Sequence, residues 1–70
     1  MLPMCFANDG EEVTVKKISG TPEVKKHLEN LGFVPGSTIS VISKTGGNMI
    51  VKVKESRVAV SETMARRILV

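Results

Sequence analysis

Glu23 and His27 stand four residues apart in "PEVKKHLEN", the spacing that puts two side chains on one helical face. A carboxylate and an imidazole so placed are two metal ligands, whereas a selective site wants three or four. His27 is the only histidine. The plainer expectation is a partly exposed histidine with a carboxylate neighbour. Cys5, the single cysteine, has no flanking base, and a reactive thiolate needs a positive microenvironment. An inert thiol is expected. One cysteine makes no internal disulfide and no zinc site, which fits a reducing compartment. "GGN" at 46–48 has neither a following lysine nor a helix start, so it is not read as a phosphate cradle. There is no G-x-S-x-G, no Walker loop and no paired carboxylates. Nothing in these residues supports catalysis, and no metal or cofactor is expected.

Charge offers a second kind of chemistry. Ten Lys and Arg against seven Asp and Glu give a net charge of +3 and a pI near 9.4. Such a balance suits nucleic acid, an anionic membrane surface or an acidic protein. The basic residues are scattered, as Lys16-Lys17, Lys25-Lys26, Arg66-Arg67 and the alternating Lys52 and Lys54. No block of like charge exists, and solvated faces explain the pattern. Single-strand binders also stack bases on exposed aromatics. This chain has only Phe6 and Phe33, both in apolar contexts that suit a core. A small basic barrel that binds nucleic acid is therefore kept as the alternative, and nucleic acid is not the expected partner.

Seventy residues set the scale, and one domain spanning 1–70 is expected. A domain this small buries only about 60% of its unfolded surface. Its core supplies roughly 3–5 kcal/mol, so a deep cleft is not expected and function belongs on the outside or with a partner. No signal peptide is read at the start. No apolar run approaches the length of a membrane span, about 18 residues.

The elements that position these residues follow from spacing. Leu2, Met4 and Phe6 alternate, which suggests an ordered opening segment that pairs as a strand or covers the core. "EEVTVKKI" reads as the first strand, with Val13 and Val15 on one face and a break near Lys17, because Ile18 disturbs the alternation. "TPEVKKHLENLG" is the one clear helix. Thr21 caps it, Pro22 sits at N1 and Glu23 suits the dipole. Val24, Leu28 and Leu31 make its apolar stripe. Gly32 ends it, and Phe33 is expected to fold back onto the stripe. "VPG" at 34–36 turns into "STISVISK", whose Ile39 and Val41 face inward, with Ile42 opposite. "TGGN" at 45–48 is a hairpin loop. "MIVKVK" sends Met49, Val51 and Val53 inward, with Lys52 and Lys54 outward. A weaker turn at Glu55-Ser56 leads to "RVAVS", with Val58 and Val60. Ser61 caps a single helical turn, "ETMARR", with Met64, Ala65 and Ile68 inward, and "ILV" closes as a short strand. Five to six short strands with one helix between the first two main ones imply a mainly β fold, a small bent antiparallel barrel. Full closure would remove the exposed edges of short Val-rich strands.

This layout resembles the FeoA family, ferrous iron transport protein A. The carriers are "KKISGTPEVKKHLENLGFVPGSTISVISK" and "MIVKVKESRVAVSETMARRILV". Leu31-Gly32-Phe33 with Pro35-Gly36 is the most specific piece. Other matches are Ile18-Ser19-Gly20, Leu28, the Val-Ala-Val-Ser strand, and Ala65 with Ile68 and Val70. Gly47-Asn48-Met49 departs from a Gly-Asp-Pro loop common in the family. Glu55-Ser56 replaces a hairpin Gly, and Lys26-His27 stands where a basic pair is frequent.

The resemblance implies an SH3-like barrel acting in the cytoplasm with FeoB, a membrane ferrous-iron transporter that carries a cytosolic G domain. It implies no enzymatic activity, no defined iron site and no membrane insertion. The same barrel ends iron-dependent repressors, but this chain shows no DNA-reading helix-turn-helix. The expected docking surface is the end of the helix, with Leu31, Phe33 and Val34 as apolar anchors and Lys25, Lys26 and His27 as the rim. The competing expectation places Leu31 and Phe33 wholly in the core, leaving Val34 as the better anchor. A ferrous-ion chaperone using His27, Glu23 and Cys5 is a further reading.

Overall fold

Thr21 starts the helix as its position demands. Its hydroxyl oxygen accepts the Val24 N–H at 3.3 Å in the computed structural model, which describes all residues 1–70. Helix α1 then runs Pro22–Asn30, with Pro22 at N1, where no amide donor is lost. Its end is a Schellman turn. The Phe33 N–H donates to the Leu28 carbonyl at 3.0 Å, and the Gly32 N–H donates to Glu29 at 2.9 Å. This geometry sends Phe33 back against Leu28, and both side chains are fully buried. Each such burial contributes about 1.5–3 kcal/mol.

Two hairpins build the main sheet. Strands β3 (Thr38–Thr45) and β4 (Asn48–Val53) are joined by Gly46-Gly47, both at positive φ, the requirement of a two-residue type I′ turn. Strand β5 (Ser56–Ser61) pairs with β4 in register Val53↔Ser56 to Asn48↔Ser61. That register places the loop at Lys54-Glu55, one residue earlier than the sequence suggested. Lys54 adopts φ 57°, a conformation that suits Gly. Inward Ile39, Val41, Met49, Val51, Val53 and Val60 alternate with outward polar residues. A bulge between Val41 and Ser43 leaves Ile42 outside.

The opening strand splits in two. Strand β1 (Glu12–Thr14) pairs with β3, while β2 (Lys17–Ile18) pairs with β6 (Ile68–Leu69). The change of partner comes at Val15 and Lys16, just before the expected break. Val15 still exchanges bonds with the Gly36-Ser37 turn, and the Lys16 N–H already donates to Leu69 at 2.8 Å. The bend lets both Val15 and Ile18 point inward. Residues 2 and 70 exchange two backbone bonds, and Pro3 bridges Leu69, so the opening segment is ordered and extends the small sheet. A single 3-10 turn, Met4–Phe6, follows it.

The result is an SH3-like arrangement of a four-stranded sheet, ordered β1-β3-β4-β5, and a two-stranded sheet, β2-β6. Helix α1 lies between β2 and β3, and α2 (Glu62–Ala65) lies between β5 and β6. Ser61 caps α2 by accepting the Met64 N–H at 3.2 Å. The expected full closure is not made by hydrogen bonds, since β5 pairs with β4 alone. Strand β5 leads directly into α2, whose Ala65 is buried. All fourteen buried residues are apolar and form one cluster, so the interior holds no polar chemistry.

Two substitutions test this account. A Cβ at Gly32, where φ is 105°, would meet Val53 Cγ1 at 2.6 Å. Gly32→Ala is expected to lower stability by about 2–4 kcal/mol, from backbone strain plus overpacking. An unchanged urea midpoint would refute the close approach. Lys54→Gly relieves the positive φ and should add about 0.5–1 kcal/mol. In thermal unfolding, at about 4–8 °C per kcal/mol for a chain this size, a lower midpoint would contradict the strained loop.

Candidate functional site

The end of α1 presents only part of its expected surface. Lys25, Lys26 and His27 are exposed, while Leu31 and Val34 are half-buried. Phe33 is 0% exposed. As an outward anchor it is ruled out, because the Schellman turn directs its ring into the core. The competing expectation holds for Phe33 but not fully for Leu31.

Glu23 and His27 share α1 without a hydrogen bond or ion pair between them. Cys5 lies elsewhere, in a depression of about 340 Å³ with the Gly46-Gly47 loop and Glu62. No three His, Cys, Asp or Glu side chains converge anywhere. Glu23, His27 and Cys5 therefore form no common ligand set. Beside Cys5, Arg66 pairs with Glu62 at 2.9 Å, the structure's one ion pair. The hydrogen bond and charge of Glu62, then those of Cys5, raise the Arg66 guanidinium above its ordinary value. It stays charged at any physiological pH.

The most exposed large apolar side chains are in the N-terminal segment. Met1 is 73% exposed, Leu2 63% and Phe6 67%. Phe6 was expected in the core, and the 3-10 turn explains the difference. With three residues per turn, Met4 and Ala7 fall on one side and are buried, so Phe6 is left outside. Leu2 and Phe6 border a groove of about 260 Å³ floored by Val13 and Val70, with Glu11 at its rim. The groove is held open by fixed elements: Leu2 is tied to Val70 by two backbone bonds, and the 3-10 turn closes through Phe6 N–H to Pro3 and Ala7 N–H to Met4. Sequence reasoning missed this site because strand-like alternation was read through a helical turn.

What can this surface do chemically? Its one carboxylate, Glu11, accepts the Asn8 N–H at 2.8 Å, and no metal ligand set converges there. It can bury apolar side chains of another molecule, and a polar-rimmed apolar patch is the usual form of a protein-binding site. The exposed Phe6 ring is the one aromatic available for base stacking. It sits among aliphatic residues and Glu11, which does not suit a phosphate backbone. No helix is long and apolar enough to cross a membrane.

Known proteins of the same build exist. The family model described as "FeoA domain" matches residues 2–70. A protein described as "Putative Fe(2+) transport protein A", from Methanocaldococcus jannaschii, is 37% identical over 70 residues, covering 100% of this chain and 85% of that one. Among solved structures, an iron uptake regulatory protein, FeoA, superposes with TM-score 0.88 at 28% identity, covering 96% of this chain and 89% of that one. The zinc-complexed FeoA of Stenotrophomonas maltophilia, described as an SH3 domain protein, gives 0.86 at 20% identity, covering 99% and 88%. A manganese-dependent transcriptional repressor shares the fold, with TM-score 0.86 at 22% identity, over 94% of this chain but 38% of its own. With the model matched over residues 2–70 and a relative at 37% identity along the whole chain, this protein belongs to the FeoA family.

Proposed function

We propose that the chain is a non-catalytic accessory of ferrous-iron uptake that acts in the cytoplasm by docking on the cytosolic region of a FeoB-type membrane transporter. Family membership supports the uptake system. The observation that carries a docking role is the exposed Leu2–Phe6 pair over the Val13–Val70 groove. A solid apolar core and scattered polar groups leave the outer surface as the place where the protein works. Docking would regulate the transporter's nucleotide hydrolysis, gate its pore or help it assemble.

A second surface has its own support. Lys25, Lys26 and His27 are exposed on one helix, and none of them takes part in an ion pair. They lie on successive sides of α1, with Glu23 and Glu29 exposed on the same helix, and half-buried Leu31 and Val34 follow at its end, so this surface offers mixed charge beside a small apolar area.

Titration of the isotope-labelled chain with the transporter's cytosolic region separates the two. Signals of Leu2, Phe6, Val13 and Val70 are expected to shift most. Leu2→Asp with Phe6→Asp should weaken binding about ten-fold or more while leaving the fold intact, since both side chains are exposed. Shifts confined to residues 25–34 would move the docking surface to the helix. No shift at either surface would remove the transporter from the proposal.

A further inference from the structure

Strand β5 has a partner on one side only. A two-residue loop is flanked by a pair that exchanges both backbone bonds. Here that pair is Val53 and Ser56, so Val51–Val58 and Met49–Val60 bond in the same way. Arg57 and Ala59 fall between them, and their N–H and C=O groups turn outward. No backbone bond from another segment reaches either residue. Their side chains are exposed as well.

Charge around this edge is one-sided. Lys52 and Arg57 stand directly opposite in the register, in a non-hydrogen-bonded pair, where side chains approach most closely. Like charges so placed repel. No carboxylate relieves them, because the only ion pair in the molecule is Glu62–Arg66. Glu12 shares their row but lies two strands from Lys52. Lys54 adds a third cation at the hairpin tip, against Glu55 alone. Next to the cations, Ala59 and half-buried Ile50 form an apolar pair on the same outer face.

From the open edge and the uncompensated cations, we propose that the β5 edge accepts an extended acidic segment of a protein partner as an added strand. Backbone groups of Arg57 and Ala59 pair with the segment. Every second side chain of the segment falls on the outer face that carries Arg57 and Lys52, so its carboxylates meet these cations, and the small apolar side chains between them turn to the other face, on the side of half-buried Val58 and buried Val60. A second copy of this chain fits worse, because it would bring the same three cations to the seam. This surface is separate from the N-terminal groove, so it stands or falls independently of the docking proposed there.

The test uses a synthetic peptide that alternates glutamate with valine. Three controls accompany it: the same peptide with backbone N-methyl groups on its pairing side, a lysine–valine version, and an oligonucleotide of matched charge. Binding of the glutamate peptide should slow amide exchange at Arg57 and Ala59. Arg57→Glu should weaken it about five-fold or more, and N-methylation should abolish it. Ala59→Pro removes an outward donor at an edge position and should also abolish it. The N-methylated peptide keeps the test valid if that variant fails to fold. Equal binding by the N-methylated peptide or the oligonucleotide would overturn the proposal in favour of plain charge attraction. Slowed exchange without peptide at high protein concentration would overturn it in favour of self-pairing, and no binding would end it.

Discussion

Gly32 has no room for a side chain, and much of the molecule is arranged around that fact. Val53 Cγ1 would stand 2.6 Å from a Cβ there, so the end of α1 presses directly on the last residue of β4. The Schellman bonds from Phe33 to Leu28 and from Gly32 to Glu29 then fix the direction in which the chain leaves. One backbone device joins the helix to the sheet, buries the Phe33 ring beside Leu28, and aims the chain into β3. The dense punctuation of "NLGFVPG" is thus a folding instruction. It uses up Phe33, which cannot also serve as a contact for another molecule.

The bend at Val15-Lys16 is the complementary constraint. A short chain with no disulfide must enclose its apolar residues with few strands. One strand that changes partners, from β3 to β6, holds both sheets without a connecting loop. The cost falls at the far end, where β5 reaches no second strand. Strand β5 is short, and Arg57 charges its open side, which discourages random edge pairing. The same open edge and charge define what a specific visitor must look like.

Legibility in the sequence tracked how local each cause was. The Thr21 cap, Pro22 at N1, the positive-φ Gly32 after the last turn, the Gly46-Gly47 hairpin and the Ser61 cap of α2 are set by neighbours within a turn, and each was readable. The Lys54-Glu55 loop was misplaced by one residue because no Gly or Asn marks it; the register of β4 against β5 forces the positive φ onto a lysine. Phe6 was misread for a different reason. Leu2, Met4 and Phe6 fit a period of two, but backbone pairing of Leu2 with Val70 ends before Met4, and the 3-10 turn changes the period to three. That pairing joins the two ends of the chain, and no local pattern records it. The candidate site was therefore the least legible part, since the exposed apolar cluster exists only because of this long-range contact.

A surface of this kind raises the question of why Leu2 and Phe6 stay outside when the core would accept apolar area. Fourteen buried residues already fill the interior, and the largest, Phe33, Met4 and Leu28, are almost fully enclosed. Turning Phe6 inward would displace Met4, its neighbour on the opposite side of the 3-10 turn, and overpacking costs about 1–3 kcal/mol. Exposing Phe6 forgoes a burial term of about 1.5–3 kcal/mol, which is of the same size. The folded chain alone therefore gains little by rotating this turn. A partner that covers Leu2 and Phe6 recovers the burial term without disturbing Met4, so docking at the groove draws on apolar area that the fold cannot use for itself.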